Sequence, residues 1–360
     1  MNSLSKRCIA FWNSIKQSPA IIPTKVVISP DHVDEGKKLG TIFKPHEHYF
    51  QVFINEMYLS YSREWFSVYD PMVFVITKFN YKTEEQTVYQ PFDVPFVVGP
   101  MMMKKFGEKI PEHMVFSDTR VAGPHPYRGG ILSLAVVLFR ITRKNYVRQL
   151  LKVVENAARV LDFSTALSTY MKVAGVVMDG VESLFGLDTT KPLIGFSKQF
   201  NPSKGFEPSY FALINMPNSK LDTADLWVQD GQLVYGKSLS NAKPFRHADF
   251  VLYSITQTSE RTDETTLPFY SQWERVVKEA TVPMEDNWQS AKSNMLSLYQ
   301  TLMLSADLIR KQAEKLAKKY KDEMKRIHDN AVEMAELGRE KKEPSELDIF
   351  RDQSLDILKM

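Results

Sequence analysis

The side chains able to do chemistry in this chain are few and scattered. His46 and His48 lie two residues apart, so a strand would present both on one face as a pair of metal ligands. No CxxC or HxxxH accompanies them to complete a site, and a polar strand start accounts for the same residues. His125 and Arg128 belong to the run GPHPYRGG, Gly123–Gly130. An imidazole and a guanidinium on a rigid turn could bind an anion or serve a cleft, although a purely structural turn explains them equally. His247 and Asp249 in FRHADF could orient one another, and His328 stands beside Asp329, but neither pair specifies a nucleophile. GxSxG, GxGxxG, HExxH and the usual calcium loop are missing from the sequence. No catalytic, cofactor-binding or metal-binding residue is therefore assigned, although a triad assembled from distant residues stays open.

Composition narrows the class. Of the 360 residues, 43% are hydrophobic and 25% charged, which suits a folded globular chain. The formal net charge of +3 is nearly neutral for this size, and nucleic acid is not an expected partner. Cys8 is the single cysteine, so no internal disulfide forms; with no recognisable signal peptide, a reducing, cytoplasmic setting is expected. No run approaches 18 uninterrupted apolar residues. The opening MNSLSKRCIAFWNSIKQS reads as an amphipathic helix, with interfacial attachment as a lesser option.

The elements that must position these side chains point to an α+β fold. The expected form is an antiparallel, sandwich-like β-rich body with an inserted helical pair and a long C-terminal helical arm. Residues 1–45 are an N-terminal lead-in with a short strand at VVIS. Residues 46–260 form one composite β-rich domain, carrying the helical insertion at 145–187. YFQVFINEMYLSYS and PMVFVITKFNY are rich in β-branched and aromatic residues, and a polar turn follows from Asn80 to Gln86. GGILSLAVVLFRI is nearly continuously apolar and should be an interior strand. The GPHPYRGG run, with two prolines and three glycines, reads as a shaped loop feeding that strand. NYVRQLLKVVENAARVLD and the segment from Ser164 to Gly186 form the helical pair, with Gly175 and Gly180 weakening the second member. LWVQDGQLVYG carries Asp230-Gly231 between two apolar runs, the signature of a type I′ hairpin.

Residues 267–360 form the helical arm and its polar tail. A short helix stops before Pro283, and a single long helix is expected from about Glu285 to Gly338. Apolar positions recur along it in steps of three or four, among them Leu296, Tyr299, Met303, Ile309, Leu316, Tyr320, Met324 and Ile327. Such a stripe requires cover, from the chain itself or from a partner. Between Arg310 and Arg326 eight basic residues meet three acidic ones, which favours a solvated flank over a lipid or phosphate surface. The leading expectation is a non-enzymatic interaction or assembly protein that self-associates or recruits another protein through these C-terminal helices. The alternatives are an enzyme with a cleft near residues 123–130, and a membrane-active protein using the helices at 147–187. Lys172, Asp179 and Glu182 oppose simple insertion of that pair into a bilayer.

Overall fold

The computed structural model describes residues 3–17, 23–34, 39–64, 67–81, 90–100, 113–116, 119–163, 165–186, 190–201 and 206–340. The expected polar tail after 340, and the turn expected at Asn80 to Gln86 from residue 82 onward, lie outside them. The chain divides into two compact units, Met1–Leu267 with Ala306–Arg310, and Pro268–Ser305 with Lys311–Met360.

The first unit is α+β with antiparallel sheets. Its strands are β1 (Thr24–Ile28), β2 (Tyr49–Tyr58), β3 (Arg63–Glu64), β4 (Ser67–Tyr81), β5 (Gln90–Val98), β6 (His113–Val115), β7 (Arg120–Pro126), β8 (Leu132–Thr142), β9 (Thr190–Phe200), β10 (Ser209–Ile214), β11 (Leu226–Gln229), β12 (Gln232–Tyr235), β13 (Lys243–Pro244) and β14 (Phe250–Thr258). One sheet runs β3-β4-β8-β9, with β5 also on β4; a second runs β1-β10-β14-β2-β6, with β7 also on β2; a small third one runs β11-β12-β13. Among the described residues the unit's α-helices are α1 (Ser3–Gln17), α2 (Asn145–Phe163) and α3 (Leu167–Phe185).

The apolar runs follow from layering. On β4, Phe74 meets Phe11 of α1, whereas Phe79, on the opposite face, meets Phe50 of β2. The first sheet thus has helices on one side and the second sheet on the other. Strands covered on both faces need apolar residues at consecutive positions, and β4 and β8 supply them. The second sheet repeats the pattern. Phe211, Leu213, Val251, Tyr253 and Ile255 join the main core, while Ala212, Ile214, Phe250 and Leu252 join a smaller one with Val228, Leu233 and Phe245. At the tip of the β11–β12 hairpin Asp230 and Gly231 both take positive φ, 49° and 72°, as a type I′ turn demands.

The helices bury their apolar stripes in this unit. Cys8, Phe11 and Ile15 of α1 are core residues, so the face that suggested interfacial attachment is covered by the protein itself. Arg7 on the same helix pairs with Asp179 at 2.6 Å and Glu182 at 2.7 Å, the acids that weigh against membrane insertion of α3. Gly180 lets α3 cross α2 closely: a Cβ there would lie 2.0 Å from Val154 Cγ2.

Two expectations are corrected. Part of GPHPYRGG is strand: β7 extends through Pro126, pairing among the described strands with β2 alone and with register shifts, which suits prolines that cannot donate to a second neighbour. The long C-terminal helix is broken. After α4 (Tyr270–Ala280), α5 (Glu285–Leu304) ends and α6 (Arg310–Glu340) starts afresh. Ser305 turns to φ −55°, ψ 129°, out of helical geometry.

Candidate functional site

The histidine pairs do not assemble into sites. His46 takes φ 65° in a turn and His48 precedes β2, so the two do not share a strand face. Lys44 N–H donates to His48 Nδ1 at 3.1 Å. Asp249 accepts from the Ser60 N–H and hydroxyl at 2.8 and 2.7 Å and from Asn215 at 3.0 Å, while His247 lies edge-on to Phe245. His328 stacks flat on Trp288 at 4.1 Å.

His125 is buried, 1% exposed, and stacks on Phe79 at 4.8 Å with Phe50 and Tyr170 edge-on. Neither ring nitrogen has a hydrogen-bond partner among the described residues. Burial, reinforced by the charges of Arg261 and Arg120, pushes its pKa down to about 3, so the ring is neutral at physiological pH. The adjacent crevice, bounded by Phe79, Pro126, Tyr127 and Arg128, is too narrow to admit a water-sized sphere. Among the described residues, this crevice beside Arg128 is closed. Gly123 explains part of the tightness: its φ is +88°, and a Cβ would sit 2.2 Å from the Phe50 carbonyl oxygen.

Arg128 does different work. Its Nη2 donates to the Leu308 carbonyl at 2.7 Å, fixing the stretch between α5 and α6. Other groups of the first unit hold the same stretch. Tyr49 Oη accepts from Ile309 N–H at 2.9 Å, and Arg261 Nη1 donates to the Asp307 carbonyl at 2.9 Å. Asp307 Oδ1 accepts from the Leu167 N–H at 2.7 Å, so a residue 140 positions away caps the start of α3. Arg261 also grips Asp263 through two bonds of 2.7 and 2.9 Å, and Thr165 joins the pair. Burial pushes the Asp263 carboxyl up, but the bonds from Arg261 and Thr165 outweigh it and hold it below its ordinary value. At Asp307 burial dominates and its pKa is raised. Sequence reasoning missed this network because its members, Tyr49, Arg128, Thr165, Arg261, Asp263 and Asp307, carry no shared spacing.

The predicted stripe of the arm is split three ways. Ile309 is fully buried in the connecting stretch. On α6, Leu316, Tyr320 and Met324 are buried, with Tyr320 stacked on Trp273 at 4.4 Å, and Ile327 is half-buried. On α5 the buried stripe is Ala291, Met295, Leu298 and Leu302. Leu296, Tyr299 and Met303 each follow a buried residue, and so occupy the next face round the helix. Leu296 is 62% and Tyr299 44% exposed, and Met303 is half-buried. Leu296 and Tyr299 wall a groove of about 390 Å³ together with Met295, Glu314, Ala317, Lys318 and Lys321.

Among the described residues no group of three or more His, Cys, Asp or Glu is arranged to hold a metal ion, and no helix is long and apolar enough to cross a membrane. Compared with protein-family models, curated proteins and solved structures, the chain matches none of them.

Proposed function

We propose that this is an interaction or assembly protein whose C-terminal unit associates with a second copy of the chain through the α5–α6 groove. The observation that carries the reading is the second apolar stripe of α5, Leu296 and Tyr299, left uncovered beside a groove while the neighbouring stripe is buried. Adjacent apolar side chains left in water along a groove of a packed helical unit favour a contact surface. A second copy fits because the groove has charges of both signs, Glu314 against Lys318 and Lys321. A two-fold contact sets each copy's acid against the other's lysines.

The test is the mass of the full chain by light scattering across a concentration series. A dimer is expected, weakened at least tenfold by Leu296→Asp, which places a charge in the contact from an already exposed position. Leu316→Asp would not separate association from folding, because Leu316 is buried. A chain that stays monomeric at every concentration, or a dimer indifferent to Leu296→Asp and Tyr299→Asp, would overturn the proposal.

A further inference from the structure

A second concavity, unrelated to the association surface, opens in the first unit where both large sheets end. β9 is the last strand of one and β1 the last strand of the other. Between them lies a cleft of about 560 Å³, lined by Val27, Ile131, Lys198, Phe200, Glu207 and Phe211 among others. Period-two alternation puts Phe196, Lys198 and Phe200 on one face of β9. The Lys198 ammonium stands 4.5 Å over the Phe200 ring and 4.8 Å over Phe211, and that of Lys25 stands 5.0 Å over Phe196. Besides burial, the charge of Lys25 acts on the Lys198 amine and lowers its pKa. Neither forms an ion pair with a carboxylate among the described residues, Glu207 at the cleft included. Val27 and Ile131 are both about half exposed at the same opening.

Two like charges near one another, each over an aromatic face and with no carboxylate partner among the described residues, make a place where an anion is stabilised. The exposed aliphatic walls add a requirement for apolar surface on the same molecule. We propose that this cleft binds a small organic anion, its acidic group bridging Lys25 and Lys198 and its apolar part covering Val27 and Ile131. Carboxylate and phosphate share the necessary chemistry.

The proton balance gives the proposal a signature that a structural lysine would lack. Burial, with Lys25 next, lowers the pKa of Lys198 to about 8. An anion favours the charged amine, so binding takes up a proton once the pH exceeds that value. Affinity then falls by roughly tenfold per pH unit. The groups that face this amine are Lys25 from β1 and, at the rim, Glu207; removing Lys25 brings the Lys198 titration back up.

The experiment is calorimetric titration of the full chain with phenyl phosphate, phenylacetate and inorganic phosphate at pH 7, 8 and 9. Saturable binding of at least one aromatic anion is expected, tenfold or more tighter than inorganic phosphate and weakening from pH 8 to 9. The tighter aromatic probe identifies the preferred acidic group. Lys198→Met and Lys25→Met should each lose tenfold or more, and Lys191→Met, an exposed lysine of the same strand, should lose nothing. The proposal is overturned if none of the probes saturates at millimolar concentration, if the Lys198→Met and Lys25→Met proteins bind as well as the parent, or if affinity ignores pH.

Discussion

Acid should loosen the β-rich body through one side chain, His125. The imidazole is enclosed by Phe50, Phe79 and Tyr170, and neither nitrogen has a partner among the described residues to share an added proton. In the unfolded chain the same ring titrates near its ordinary value of about 6.5, whereas in the fold its pKa is about 3. The unfolded state therefore binds more protons between about pH 6.5 and pH 3, and stability falls as the pH falls through that window. The contribution is intact above pH 6.5, is lost progressively below it, and levels off near pH 3. At pH 5 the loss is about 2 kcal/mol, one and a half pH units at about 1.4 kcal/mol each. That figure depends on the unfolded value alone so long as the folded pKa lies well under 5. The assay is hydrogen exchange of amides in β4 and β8 at matched intrinsic rates, which reads the opening of this unit without involving the C-terminal helices. His125→Phe keeps an aromatic ring on Phe79 and removes the titration. Its exchange-derived stability should drop about 2 kcal/mol less than that of the parent between pH 7 and 5, the other histidines cancelling in the difference. Identical pH dependence in the two proteins would refute the reasoning.

Two further outcomes test the network and the helical unit. Arg261→Met removes the partner of a buried carboxylate and should destabilise the first unit by about 3–5 kcal/mol, whereas Asp307→Asn keeps the acceptor for Leu167 N–H and should cost under about 1 kcal/mol; urea denaturation of both separates charge from hydrogen bonding. Tyr320→Ala empties the place stacked on Trp273 and should lower the stability of the C-terminal unit by about 3–5 kcal/mol, followed by helix signal on heating.

Much of the architecture is legible in the residues because the physics is local or strongly repeated. β4 and β8 announce two-sided burial by unbroken apolar runs, and the hairpin announces itself through Asp230-Gly231. The helical pair repeats buried apolar residues at steps of three and four, so α2 and α3 are found within a few residues. The break between α5 and α6 is different. No glycine or proline marks residues 305–309, and the three-or-four spacing runs straight through Met303, Ala306, Ile309 and Ala313. What ends the helix is a set of distant partners, Tyr49, Arg128 and Arg261, which take the backbone groups that a continuing helix would pair internally. The spacing of residues along a chain carries no trace of acceptors brought in from elsewhere.

The phase of α5 is instructive for another reason. Met295, Leu298 and Leu302 form one apolar line, and Leu296, Tyr299 and Met303 form a second a residue further round. Periodicity alone cannot choose between lines that run in parallel, and Leu296, Tyr299 and Met303 are the line that the protein's own core does not use. On α6 the corresponding positions, Leu316, Tyr320 and Met324, form the line that is buried. A helix needs one stripe to bury itself against its neighbours; a second stripe beside the first adds nothing to that packing and leaves apolar surface in water. The ambiguity that misdirects the phase of α5 is thus the same feature that sets its outer face apart, and the cost of leaving Leu296 and Tyr299 in solvent is the physical reason to look for what covers them.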